Sequence, residues 1–152
     1  MKSFLLGLAL LTCSFAGAAD ELPLPRKDGF HLGPWEQDIG YTQAVRVGTT
    51  LYVSGSVGGG DMATAIAQAY DAIQRTLAAH RLGFGHVVKE NVFTTDIEAL
   101  KANKGVRNAY YGTDFPAASW VQVQRLFEPE FVIEVEVIAV FPEGAEADDG
   151  PK

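Results

Sequence analysis

The chain has 152 residues and a formal net charge of −7, with 47% hydrophobic and 20% charged residues. That length suits one domain with its own core and leaves too little chain for two. The composition is that of a folded globular protein and excludes a wholly disordered one. The acidic balance repels phosphate backbones, which argues against a nucleic-acid partner.

Residues 1–19 read as a cleaved signal peptide. Lys2 gives a positive start, Phe4 to Leu11 is apolar, and Ala16-Gly17-Ala18 has the small-x-small form of a cleavage site. A membrane anchor is excluded because Asp20 and Glu21 end the apolar run short of the roughly 20 residues a span requires. A lipoprotein signal at Leu10-Leu11-Thr12-Cys13 fails because Thr12 stands where a smaller residue is needed. The expectation is a secreted or periplasmic protein, cut after Ala18 or Ala19, with no membrane attachment afterwards. Cys13 is the only cysteine and leaves with the signal, so neither a disulfide nor a Cys–metal site is expected.

Residues 20–39, with Pro23, Pro25, Gly29, Gly33 and Pro34, predict an irregular arm over the surface, anchored by Trp35. The folded domain is placed at 40–142. Ala44 to Val47 and Leu51 to Val57 are β-rich runs joined through Gly48-Thr49-Thr50, a hairpin signal. Gly58-Gly59-Gly60 then breaks the chain and Asp61 caps a helix. Met62, Ile66, Ala69, Tyr70, Ile73 and Leu77 form its apolar stripe, and Gly83 is expected to end it. Val87 to Thr94 predicts a third strand. Thr95 and Glu98 have capping-box spacing for a second helix from Ile97 to about Tyr111, with Gly105 its weak point. Ser119 to Leu126 and Phe131 to Phe141 are the last two strands, and in the second Glu134 and Glu136 share one face. Residues 143–152 predict a disordered acidic tail. The order β-β-α-β-α-β-β gives a two-layer α+β fold, a mixed sheet with two helices on one face. The uncovered face of such a sheet predicts association between subunits.

Most familiar site patterns are absent. Gly58-Gly59-Gly60-Asp61-Met62-Ala63 satisfies G-x-G-x-x-A, but Asp61 would set a carboxylate beside the pyrophosphate. The next suitable acid, Asp96, lies 36 residues past Gly60, where a dinucleotide site wants one at about 20. A flexible turn before a helix accounts for the glycines better. His31, His80 and His86 have neither metal-ligand spacing nor an acid cluster, so no metal is expected. Ser54 and Ser56 flank Gly55 without forming a nucleophile elbow. Glu134 and Glu136 are either the wet face of a half-buried strand or the lining of a polar cleft.

Taken together, Gly40-Tyr41-Thr42-Gln43-Ala44-Val45, Leu51-Tyr52-Val53-Ser54-Gly55, Val87-Val88-Lys89, Val92 to Asp96, Phe115-Pro116-Ala117-Ala118-Ser119, Val121-Gln122-Val123 with Arg125-Leu126, and Ile133 to Ala139 resemble the RidA/YjgF family over residues 40–140. The resemblance implies a chorismate-mutase-like fold, a homotrimer, and small-molecule clefts between its subunits. It implies deamination of reactive enamines and imines to keto compounds and ammonia, without metal or cofactor. Tyr41 matches the tyrosine that overhangs the family's cleft, Ser54 its pocket serine, and Glu134 the glutamate that positions the hydrolytic water. Ala118, Ser119 and Trp120 fall in the substrate-binding segment. There the family's deaminases carry an arginine that clamps the substrate carboxylate, a position suited to bidentate pairing. Ala118 replaces it and offers neither charge nor donor. The family's helix asparagine falls near Lys104, with Asn103 one place off. Two functions follow from different classes. One is an imine deaminase using Glu134 to activate water, the other a non-catalytic trimer binding a small ligand or a protein partner. RNA cleavage, attributed to some members, is opposed by the net charge.

Overall fold

A computed structural model describes residues 23–144. The expected signal peptide and nearly all of the acidic tail lie outside the described residues. Along the chain come β1 (Asp28–Phe30), α1 (Trp35–Asp38), β2 (Ala44–Val47), β3 (Thr50–Gly59), α2 (Met62–Ala79), a 3₁₀ turn (Phe84–His86), β4 (Val87–Thr94), α3 (Ile97–Ala102), α4 (Lys104–Tyr111), β5 (Ala117–Gln122) and β6 (Phe131–Val140). The strands form one sheet in the order β1-β2-β3-β6-β4-β5. All pairings are antiparallel except β4 with β5. The fold is the expected α+β arrangement, one mixed sheet of six strands with its main helices on one face.

Alternation decides which side of the sheet is dry. Leu51 and Val53 on β3, Val92 on β4, and Ile133, Val135, Val137 and Ala139 on β6 are all buried beneath the helices. Helix α2 meets them with Met62, Ala65, Ile66, Ala69, Tyr70, Ile73 and Leu77. Asp61 opens α2 as expected, its carboxylate accepting from the Thr64 amide at 3.1 Å and the Thr64 hydroxyl at 2.7 Å.

Four local expectations are corrected. The glycine run does not break the chain: β3 continues through Gly59, and only Gly60 turns, at φ 88°. A Cβ on Gly58 would collide with the backbone of Ala65, so the absent side chain lets β3 and α2 pack closely. Helix α2 ends at Ala79 rather than near Gly83. Arg81 takes the left-handed conformation (φ 58°), while the amides of Arg81 and Leu82 bond back to Ala78 O (2.9 Å) and Leu77 O (2.9 Å). The second helix is two helices, interrupted at Asn103 (φ −103°, ψ 10°), whose side-chain amide donates to Ala99 O at 2.9 Å. Finally, the arm is not irregular throughout: β1 extends the sheet alongside β2, and α1 follows it.

Candidate functional site

A bulge in β3 creates the site. Val53 pairs with Val137 and Ser56 with Val135, so Ser54 and Gly55 together oppose the single residue Glu136. The insertion keeps Val53 and Ser56 buried and turns Ser54 and Gly55 toward the open face, which Glu134 and Glu136 share. There a Cβ on Gly55 would overlap the Glu134 side chain. The glutamate therefore lies across bare backbone, a placement that only glycine permits. Burial, then the nearby Glu136 carboxylate, raises the pKa of Glu134 above the ordinary glutamate value. Glu136 itself accepts a hydrogen bond from Asn91 Nδ2 at 2.7 Å.

Tyr41 closes one side of this group. Its hydroxyl donates to Gly55 O at 2.9 Å and lies 3.3 Å from Gln43 Oε1. Burial foremost, with the Glu36 and Glu134 carboxylates adding to it, pushes its pKa up to about 12. Tyr41 thus keeps its proton and acts as a donor. Ser54 Oγ donates to Thr42 O at 2.7 Å, tying β3 to the same segment. Ser54 also lines a hollow of about 230 Å³ with Tyr52, Lys89, Asn91 and Glu136.

Glu36, which sequence reasoning passed over, supports Tyr41 from behind. Its carboxylate is fully buried and accepts from the amides of Leu32 (2.8 Å), Gly33 (3.3 Å) and Gln43 (3.1 Å) and pairs with His31 Nδ1 at 2.9 Å. Its carbonyl accepts from the Tyr41 amide at 2.7 Å. This one residue fixes the arm. Trp35, expected as the anchor, is instead 55% exposed and stacks on Tyr41, with ring centroids 5.9 Å apart and planes at 18°.

The other expected site residues lie elsewhere in the protomer. Ala118, Ser119 and Trp120 sit on β5, which β4 and β6 separate from β3. In the parallel register Ala118 opposes Glu90, which points into the helical layer, so Ala118 and Glu134 face opposite sides of the sheet. Ser119 accepts from Lys89 Nζ at 2.9 Å on the open face. Trp120 turns inward, its Nε1 3.3 Å from Glu90 Oε1. One protomer therefore brings Tyr41, Ser54 and Glu134 together, links Ser119 to the Ser54 hollow only through Lys89, and does not bring Ala118 or Trp120 to them. Asn103 is occupied at the α3–α4 break.

Beside Ala118 is a second feature the sequence reading missed. Glu90 is fully buried and takes a 2.9 Å ion pair from Arg107 Nε, with hydrogen bonds from the hydroxyls of Tyr70 (2.7 Å) and Tyr111 (2.8 Å). The Arg107 guanidinium carbon lies 4.7 Å from the centre of the Tyr111 ring and 5.3 Å from those of Phe115 and Trp120. Burial first, and then the Glu90 charge, raises the pKa values of Tyr70 and Tyr111 far above the usual phenol range, so both remain donors. The signal was present in the alternation of β4, which puts Glu90 on the same face as Val92 and Thr94. A carboxylate there requires a buried cation.

A two-layer sheet-and-helix domain with a half-buried carboxylate, a protonated tyrosine and no group of metal ligands among the described residues defines the class. Comparison with known proteins supplies the family. The family model described as Endoribonuclease L-PSP matches residues 36–141. The chain belongs to this family, known also as YjgF/RidA. A human 2-iminobutanoate/2-iminopropanoate deaminase is 31% identical over 109 residues, covering 66% of this chain and 79% of the human protein. The deaminase of the same name from Capra hircus is 35% identical over the same shares. Among solved structures, a YjgF/YER057c/UK114 family member from Mycobacterium tuberculosis aligns with a TM-score of 0.70 at 28% identity. That alignment covers 76% of this chain and 99% of the other.

Proposed function

We propose that this is an exported protein that assembles as a homotrimer, and that its intersubunit clefts hydrolyse small imines or enamines to keto compounds and ammonia. The observation that carries the reading is Glu134, a carboxylate with a raised pKa held against Gly55 beside a protonated tyrosine. Such a group serves as a general base to an attacking water. Water adds to the carbon of the protonated imine as Glu134 accepts one of its protons, giving the neutral carbinolamine. That proton passes on to the amine nitrogen, and the carbinolamine collapses to the carbonyl as ammonia leaves and the hydroxyl proton returns to Glu134. The distance between β5 and the Tyr41–Glu134 group within one sheet supports a cleft shared by two subunits, in which the β5 edge of one protomer faces the bulge of the next.

Ala118 narrows the substrate. Arg107, whose guanidinium lies over the ring of Trp120 on the same strand, is committed to Glu90. A missing charge-assisted carboxylate contact costs about 1.5–3 kcal/mol, roughly ten- to a hundredfold in binding. The reading therefore favours imines without a carboxylate over 2-imino acids. Ammonia release from both kinds tests it. The wild type is expected to accelerate hydrolysis of a simple ketimine and to act weakly on 2-iminopropanoate. Ala118→Arg should raise the second rate about tenfold or more, and adding Glu134→Gln should remove the gain. Absence of ammonia release from every imine by an intact trimer would select the other reading that Ala118 favours, a non-catalytic trimer that binds a small ligand.

A further inference from the structure

We propose that Trp35 is a specificity-determining residue, and that the site takes ligands bearing a planar aromatic ring, which lies against the accessible surface of its indole. The inference rests on the cleft reading above and adds the chemical class of its ligand.

Two independent contacts fix the indole. On one side it is nearly parallel to Tyr41, at 5.9 Å and 18°. On another, a Cβ on Gly33 would come within 2.7 Å of Trp35 Nε1 and 2.8 Å of Cδ1, so the ring packs over backbone that has no side chain. The segment carrying it is rigidly held, because the Gly33 and Leu32 amides and His31 all bond the buried Glu36 carboxylate. Yet more than half of the Trp35 surface remains accessible. An immobilised aromatic with an open surface has lost its conformational freedom before any ligand arrives, so stacking on it costs little further ordering. Its neighbour Tyr41 is the residue whose hydroxyl reaches the backbone against which Glu134 lies. The Trp35–Tyr41 pair therefore forms an aromatic wall leading to Glu134. With Ala118 giving no ionic clamp, ring stacking supplies orientation that a guanidinium would otherwise provide.

Ligand-observed NMR with phenylpyruvate and pyruvate tests this, since both acids carry the same keto-carboxylate and differ by the ring. Phenylpyruvate is expected to bind the full-length trimer about three- to tenfold more tightly than pyruvate. Trp35→Ala should erase that preference while the trimer persists by light scattering, and Trp35→Phe should retain most of it. Gly33→Val, which displaces the indole without removing it, should behave like Trp35→Ala. Equal binding of the two acids, or an unchanged preference in Trp35→Ala, would overturn the inference and leave the cleft reading standing. Loss of the trimer in both Trp35→Ala and Gly33→Val would assign the indole to a subunit contact and overturn it also. Binding of neither acid at millimolar concentration would overturn the inference, since ring stacking would then not replace the missing clamp, and would leave standing the cleft reading, which already expects carboxylates to be held weakly.

Discussion

Glu134 lies where a side chain at position 55 would stand, and that placement sets the pH dependence of the site. Its pKa is raised by burial and by Glu136. As a base it must be ionised, so imine hydrolysis should fall as pH drops through a value above the ordinary carboxylate range. The stability consequence has the opposite sense. The folded state holds the Glu134 proton more tightly than the unfolded chain, so the stabilising effect is present at low pH and lost as pH rises through the folded pKa. Glu134→Gln is therefore expected to raise Tm at pH 7 and to leave it unchanged near pH 3, as measured by calorimetry. The pair Glu90–Arg107 behaves differently because both partners are buried. Arg107→Met strands a carboxylate in the helical layer and should destabilise the fold by about 3–5 kcal/mol in urea titration. The double change Glu90→Gln with Arg107→Met should recover much of that loss. The resemblance made Tyr41, Ser54 and Glu134 legible. It did not reveal Glu36, because an acid in a sequence looks solvated until the burial of its neighbours is known, nor Glu90, which only the alternation of β4 marks as inward.

At the scale of elements, β3 and α2 form the platform on which the bulge rests. Gly58 allows them to approach, and Gly58→Ala should cost about 1–3 kcal/mol through overpacking against the Ala65 carbonyl, seen as a lowered urea midpoint with the slope unchanged. The strands from β2 through β4, together with β6 and the start of α2, could be read from alternation and capping, since these signals are local and repeated. The end of α2 could not. Its closing pattern uses Arg81, a residue with no preference for the left-handed region, whereas Gly83 has an extended backbone (φ −140°, ψ −178°). The α3–α4 break was equally hidden, because Asn103 acts through one side-chain bond to Ala99 O. β1 escaped notice because three residues, Asp28–Phe30, are too few to show a period, and pairing with β2 alone defines them.

For the whole molecule, the open face of the sheet carries Tyr52 (49% exposed), Val121 (46%) and Val140 (37%) around the polar group at Glu134 and Glu136. Apolar side chains on an otherwise polar sheet face favour burial against another copy. Light scattering is expected to give three times the mass of the mature chain, unchanged by reductant. A stable monomer at micromolar concentration would separate Ala118 from Glu134 permanently and dissolve the cleft. This is also where sequence reading stopped. The resemblance implied a cleft between subunits, and the strand order adds that within one protomer the edge strand β5, with Ala118, is separated from β3 and Ser54 by β6 and β4.

The buried Glu36 carboxylate has a consequence in time as well as in space. The amides of Leu32, Gly33 and Gln43 share this one acceptor, and the Tyr41 amide bonds the carbonyl of the same residue. Displacing Glu36 would release all four together. Their hydrogen–deuterium exchange should proceed by a common opening with similar protection, although they span the twelve positions from Leu32 to Gln43. Glu36→Gln should accelerate all four in concert and leave amides of β6 at their original rates. The segment bearing Trp35 and Tyr41 would then open and close as one latch, setting how often the mouth of the site is formed.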